Sequence, residues 1–379
     1  MLGVTQIIGW GAMFFPSVLT VPLAAAERGW PPAFAMAGFS TGLLVAGLAS
    51  PRVGASVDRF GGHVVMPAGL LVGALGLVLL VFAASRFAWI AAWAVIGVGM
   101  AGSFYDAAFA TLGRIFGMEA RKPITWLTLV SGFASTLSWP GTHALIGAVG
   151  WRGTYLVYAA LLALVAAPLA ACALPRSRAA PEPRGPAGRP GAATLAPRGL
   201  VFVLVASAFA SYAFVHSGMA AHSIAIFGRM GLDTGTAVAL GALVGPAQFA
   251  ARLVELGYGR RLHPLWIARF AVALLLVAFG MLATVGVSTV SVAAFMLMYG
   301  LANGAFTIAR GAVPLVLFGA AGYGSVMGRM ALPFLVMQAI APIALAFLAE
   351  RMSDTAALVT IALFAGLSLA CFALIRRAA

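Results

Sequence analysis

Residues 50–63 read SPRVGASVDRFGGH and place Arg52, Asp58, Arg59 and His63 together in a chain that is otherwise almost continuously apolar. Apolar runs flank the stretch on both sides, at 33–56 and 64–84, and each matches the roughly 20 residues a helix needs to cross a bilayer. A short polar turn between two membrane spans is the reading that fits. The rest of the chain agrees: 63% of its 379 residues are hydrophobic and 8% are charged, more apolar surface than one aqueous core can hide. Lipid is therefore the expected solvent for most of it.

Dividing the chain at its clusters of charge, Pro and Gly predicts twelve spans. They fall at 3–25, 33–56, 64–84, 88–112, 123–147, 154–174, 199–222, 234–256, 265–286, 290–312, 328–349 and 354–375, the tenth with room to extend towards Phe318. Met1 is followed at once by apolar residues with no basic leader, so the first run is expected to be a permanent span. Cys172 and Cys371, near the ends of spans six and twelve, suit neither a disulfide framework nor a thiolate metal site and are read as packing residues.

The formal charge of +14 comes from 23 Lys and Arg against 9 acids. Its distribution matters more than its sum. Loops after even-numbered spans and the tails carry Arg52 and Arg59; Arg114, Arg121 and Lys122; Arg176, Arg178, Arg184, Arg189 and Arg198; Arg252, Arg260, Arg261 and Arg269; Arg310 and Arg329; and Arg376 and Arg377. The other side holds Arg28, Arg86, Arg152, Arg229 and Arg351. By the positive-inside rule both termini are cytoplasmic and the protein is integral to the plasma (inner) membrane. Topology thus explains the basicity, and no nucleic-acid partner is expected.

The segment 175–198, PRSRAAPEPRGPAGRPGAATLAPR, is rich in Pro, Gly and Arg and reads as a flexible cytoplasmic linker between domains at 1–174 and 199–379. These halves resemble one another. GASVDRFGGHVVMP (54–67) and ARLVELGYGRRLHP (251–264) have equal length, with Asp58 and Glu255 each nine residues before the proline. Phe116-Gly117 and Phe318-Gly319 differ by 202, an offset that sets Gly102 opposite Gly304. Near-equal offsets at several places indicate a duplicated six-helix unit.

Gly54-Ala-Ser-Val-Asp58-Arg59-Phe-Gly61 between spans two and three resembles a signature loop of the major facilitator superfamily of secondary transporters, and Gly150-Trp-Arg-Gly-Thr-Tyr155 resembles that family's entry to helix six. The resemblance covers essentially the whole chain. It implies an all-α membrane fold of two pseudo-symmetric six-helix bundles around a central cavity, with helices 1, 4, 7 and 10 lining a site exposed alternately to each side. It also implies that Gly54, Asp58, Arg59 and Gly61, with Arg114 and the related Arg252 and Glu255, act as a cytoplasmic gate. Gly62 and His63 depart from the family's usual basic pair. Two exporter patterns are missing as well: Trp93 stands four residues before Gly97-Val98-Gly99 where many proton-driven drug exporters have Arg, and Pro140 follows Trp139 where they have Gly.

Asp106 is the one acid expected inside a span, where an ionised carboxylate needs a wet cavity, a cation or a proton. It is a candidate proton acceptor or ligand, against a structural pairing with Arg114. On span ten, Asn303 and Arg310 are candidates for holding a carboxylate, against an Arg that snorkels to the interface. His216 is a candidate for titration or substrate contact, against a packed histidine; its six-residue separation from His222 puts the two on different helix faces and argues against a metal pair. Gln6 and Trp10, four residues apart, share one face of span one. Tyr105 and Gln338 complete the set, with Tyr212 and Gln248 as further hydrogen-bonding groups.

A single lysine, Lys122, and no Gly-x-x-x-x-Gly-Lys loop exclude an ATP-driven pump within this chain. A retinal protein falls by the same count, and scattered histidines do not build a membrane enzyme. No cofactor or metal is expected. The function expected is proton-coupled transport of a small organic solute, an acid first, by a monomer working in the bilayer. Efflux of a toxic or amphipathic compound is the alternative.

Overall fold

A computed structural model of the protein describes residues 1–176, 199–258 and 262–375. Most of the expected linker lies outside the described residues, as do Arg178, Arg184, Arg189, Arg198, Arg260, Arg261, Arg376 and Arg377. Among the described residues the regular structure is helical: α1 (Leu2–Met13), α2 (Ser17–Arg28), α3 (Pro32–Phe60), α4 (Gly62–Phe82), α5 (Arg86–Ser103), α6 (Tyr105–Phe116), α7 (Arg121–Ser131), α8 (Ala134–Leu161), α9 (Ala167–Ala173), α10 (Leu200–Arg229), α11 (Thr234–Gly241), α12 (Val244–Tyr258), α13 (Pro264–Val285), α14 (Thr289–Phe318), α15 (Tyr323–Arg351) and α16 (Asp354–Leu374). A 3₁₀ turn, Gly117–Ala120, joins α6 to α7, and a π turn, Leu162–Ala166, joins α8 to α9.

Among the described residues ten helical stretches are long and apolar enough to cross a membrane, and one of them, Arg86–Ala173, has 88 residues. Straight, it would run about 130 Å at 1.5 Å per residue. It is interrupted at Phe104, at the 3₁₀ turn and at Gly150, whose φ of 68° and ψ of 176° are not helical. The 3₁₀ turn and Gly150 divide it into three crossings, the Phe104 break falling within the first, and with the nine other stretches the all-α fold has twelve spans.

Several boundaries differ from the sequence expectation. The stretch 50–63 is not an open turn: α3 continues to Phe60 and α4 begins at Gly62, leaving Gly61 alone between them. Pro51 removes one ladder hydrogen bond without ending the helix. Gly61, at φ 86°, makes the reversal. Span seven runs to Arg229 instead of 222, with Ile226 and Phe227 fully buried. Span ten does extend to Phe318, as the sequence allowed, but span eleven starts at Tyr323, five residues ahead of expectation. Span one divides at Phe14–Pro16, where the proline lacks a ladder donor. Span eight divides between α11 and α12, and Asp233 caps its start by accepting from the Thr236 amide at 3.0 Å. The Thr236 hydroxyl and amide also hold the Asp233 carboxyl below its ordinary range. Cys371 is buried, but Cys172 is exposed and so does not pack as expected.

The chain forms two compact units, Met1–Ala196 with Phe318–Leu332, and Pro197–Leu317 with Pro333–Ala379. In the first, small residues bring helices close. A Cβ at Gly102 would press on the Gly69 Cα, one at Gly99 on the Gly73 backbone, and one at Gly97 on the Gly42 carbonyl. At one end of this bundle the Arg28 guanidinium lies 4.9 Å from the rings of Trp30 and Trp89 and 5.1 Å from Trp151. Glu27 holds Trp151 and Arg152 there. In the second unit α10 packs on α16 through Phe214 stacked on Phe364, with centroids 4.1 Å apart. Arg269 donates to the Phe372 and Ile375 carbonyls at the end of α16, where a cation complements the helix dipole.

Candidate functional site

The residues of the SPRVGASVDRFGGH stretch meet the start of α15 inside the first unit. Asp58 accepts from the Gly324 amide at 2.8 Å, the Ser325 amide at 2.7 Å and the Ser325 hydroxyl at 2.6 Å. Three charge-assisted bonds at a helix N-terminus, where unpaired amides and the dipole both favour a carboxylate, make a strong local tether. Only glycine permits the approach. A Cβ at Gly54 would collide with the Gly324 carbonyl, and one at Gly328 with the Ser50 carbonyl. Arg114 donates to the Val57 carbonyl at 3.2 Å and lies near Gly61. Arg59 is exposed over the ring of Phe60 and takes no part in the tether. Arg252 and Glu255 belong to the second unit, both buried on α12. Arg252 reaches Gln248 at 3.3 Å.

A second group of candidates gathers around the interruption of span four. Phe104 is extended (φ −80°, ψ −170°), so α5 stops at Ser103 and α6 starts at Tyr105. Such a break frees backbone groups that lipid cannot satisfy. Gln6, 1% exposed, donates its Nε2 to the Ser103 carbonyl at 2.6 Å. One turn further along α1, Trp10 stacks on Phe104 with centroids 4.1 Å apart and planes 15° apart. Tyr105 is 5.2 Å from the Trp10 ring, and its hydroxyl pairs with Ser131 Oγ at 2.8 Å. Asp106 is half-buried in the first turn of α6.

In the second unit, residues spaced by whole helical turns form polar stripes. On α10 these are Tyr212 and His216; on α14 they are Tyr299, Asn303, Phe306 and Arg310; on α15 they are Phe334 and Gln338. Tyr212 donates to Asn303 Oδ1 and stacks flat on Phe306. The Tyr299 hydroxyl lies 3.2 Å from His216 Nδ1 and 3.1 Å from the His216 carbonyl. Asn303 is 3% exposed, and its amide nitrogen has no hydrogen-bond partner among the described residues. Arg310, 9% exposed, lays its guanidinium 3.6 Å from the Phe334 ring centroid. Ser217 donates to the Gln338 carbonyl at 2.7 Å.

Thus Gln6, Trp10, Tyr105 and Asp106 collect at one break, while His216, Asn303, Arg310 and Gln338 lie on three helices of the other unit. His222 stays apart, bonded to the Pro342 carbonyl at 2.8 Å. Sequence reasoning missed Ser103, Ser131, Tyr299 and Phe334. Tyr299 and Phe334 each sit four residues before a residue already singled out, Asn303 and Gln338, which was the available signal. Nothing local marked Ser103 or Ser131. Among the described residues no group of three or more His, Cys, Asp or Glu could hold a metal ion.

Comparison with known structures gives the same architecture. The chain aligns over 99% of its length with the human organic anion transporter MFSD10 (17% identity, TM-score 0.72, 97% of that chain). It aligns equally far with FucP, a Major Facilitator Superfamily transporter in the outward conformation (12%, 0.77, 98% of that chain), whose E. coli form is described as a fucose:proton symporter. The proton:xylose symporter XylE matches at 11% identity and TM-score 0.71 over 95% of its chain. No curated protein matches in sequence. The model of the Major Facilitator Superfamily matches residues 2–342, nearly the whole chain, and this integral membrane protein therefore belongs to the Major Facilitator Superfamily of transporters.

Proposed function

We propose that the protein is a proton-coupled secondary transporter of a small organic acid, working by alternating access as a monomer of two six-helix halves, 1–174 and 199–379, with both termini on the cytoplasmic side of the inner membrane. The observation that carries the acid is the Asn303 and Arg310 stripe on α14. A guanidinium held 3.6 Å from the centre of the Phe334 ring is restrained in place, and its planar fork suits bidentate pairing. The Asn303 amide adds a buried donor that no described residue engages. Donors on one helix face suit a carboxylate. Asp106 and His216 are the candidates for exchanging the coupled proton. The organic anion transporter and the two proton symporters of the same fold are consistent with such a cargo and such coupling.

Asp58 would serve as the latch. Its three bonds to the start of α15 must break whenever the cytoplasmic side opens, so they favour one state by their own strength. Efflux of an amphipathic compound is supported by a different observation, the rings of Trp10, Phe14, Phe15 and Phe39 around the span-four break.

Counterflow in proteoliposomes with labelled organic acids, sugars and lipophilic cations, run with and without a pH gradient, separates these readings. Acids are expected to exchange and to accumulate on an inward proton gradient. Exchange of lipophilic cations alone would replace the acid reading with efflux, and acid uptake indifferent to the gradient would remove proton coupling.

A further inference from the structure

The break in span four brings together two buried polar atoms that its own architecture does not use. Gln6 must present Nε2 to the Ser103 carbonyl, because a carbonyl accepts only from a donor. That fixes the amide orientation and turns Oε1 away from Ser103, where it has no hydrogen-bond partner among the described residues. Trp10, on the same face of α1, uses its ring face against Phe104, and its Nε1 likewise has no partner. One turn of α1 thus carries, on the same helix face, an acceptor and a donor that no described residue uses. Leaving such atoms unpaired out of water is unfavourable, and Gln6 is almost wholly buried.

The pairing selects a chemical group. A carboxylate oxygen could take the indole N–H but would be repelled by Gln6 Oε1. An ammonium could give to Oε1 but would be repelled by the indole hydrogen. An ether oxygen accepts and cannot donate. A hydroxyl does both through one atom, donating to Gln6 Oε1 while accepting from Trp10 Nε1. The aromatic faces of Phe104 and Tyr105 beside it suit the hydrocarbon on which such a hydroxyl sits.

We infer that Gln6 and Trp10 form a hydroxyl-recognition subsite and that the transported solute carries an alcohol group. This rests on the proposed transport of organic acids and narrows it to hydroxy acids. A site built to bond a hydroxyl discriminates strongly against the analogue lacking it, because the analogue leaves the buried partners unpaired.

Competition against counterflow in proteoliposomes of the full chain tests this with matched probes at a pH where all are ionised: malate, succinate and methoxysuccinate; lactate and propionate. The hydroxy acids are expected to compete on the order of tenfold or more better than the deoxy and methoxy acids. Trp10→Phe keeps an aromatic ring against Phe104 and removes the donor; it should shrink that ratio several-fold by weakening the hydroxy acids more than the deoxy acids. Equal competition by hydroxy and deoxy acids overturns the inference and leaves acid transport standing, and so does an equal loss on both in Trp10→Phe. Should no acid compete, the acid reading fails, and erythritol against butane-1,4-diol decides the subsite: preference for erythritol that is lost in Trp10→Phe upholds it, and no preference removes it.

Discussion

Spans four and ten occupy matching places in the repeat read from the sequence, with Gly102 opposite Gly304 and, at the same offset, Phe104 opposite Phe306. One is broken there and the other is not. Span four stops at Ser103 and restarts at Tyr105, whereas α14 runs from Thr289 to Phe318 through the related point. The first unit therefore makes its polar site out of backbone: a freed carbonyl, the start of a new helix, and Asp106 in its first turn. The second makes its site out of side chains projecting from continuous helices. A backbone-built site hangs on the one distant group that stabilises the break, while a side-chain-built site spreads its support over several local contacts.

The sharpest way to test the side-chain half is Arg310→Gln. Losing a charge-assisted, pre-oriented donor pair costs about 3 kcal/mol of anion binding, on the order of a hundredfold. Counterflow of organic acids should fall by that factor, with Arg310→Lys intermediate because an ammonium cannot reproduce the planar fork. Unchanged acid exchange in Arg310→Gln would move the anion site elsewhere.

For the backbone half the corresponding change is Asp106→Asn, which keeps a side chain suited to a helix start and removes the titratable proton. Accumulation driven by an inward pH gradient should disappear, while counterflow without a gradient stays within about threefold of wild type, since exchange of solute alone needs no net proton movement. Measuring both in the same vesicles separates coupling from binding. Gradient-driven accumulation that survives the substitution would assign the proton to another group.

How much of this difference was legible in the sequence follows from where its causes lie. The spans could be read because every lipid-facing turn must be apolar, and the reversal between α3 and α4 could be placed because a Gly-Gly pair interrupts the pattern. Its extent could not: α3 absorbs Pro51 and continues to Phe60, which is helical periodicity overriding a local breaker. The break at Phe104 left no local mark. AGSFYDAAF contains no proline, and the group that sustains the interruption, Gln6, is 97 residues away. The α14 stripe was half visible, since Asn303 and Arg310 stood out as polar groups in an apolar run. Tyr299 and Phe334 looked like ordinary aromatic packing until the helices were brought together.

A stability comparison addresses the break itself. Gln6→Leu leaves the Ser103 carbonyl without its partner in an apolar interior, at a cost of about 2 kcal/mol. Asn303→Leu deprives the Tyr212 hydroxyl of its acceptor but disturbs no backbone, and should cost about 1 kcal/mol. Denaturant titration in detergent micelles, followed by helical circular dichroism, should rank them in that order. The reverse order would mean that the break is held by packing of Trp10 on Phe104 and not by the Gln6 hydrogen bond.

Thr307→Val isolates the last element of the contrast. Thr307 Oγ1 donates to the Asn303 carbonyl at 2.8 Å, chemically the same kind of bond as Gln6 makes to Ser103. Its setting is different: Asn303 lies inside an unbroken helix, where the amide four residues on already serves the same carbonyl. Removing a second donor from a carbonyl that keeps its first strands nothing, and valine retains the shape of threonine. The expected loss is under about 0.5 kcal/mol, since hydroxyl bonds back to the preceding turn add little to a helix and can even bend it. If Thr307→Val instead destabilised the protein as much as Gln6→Leu does, α14 would be close to breaking at this point, and the two spans would differ in degree and not in kind.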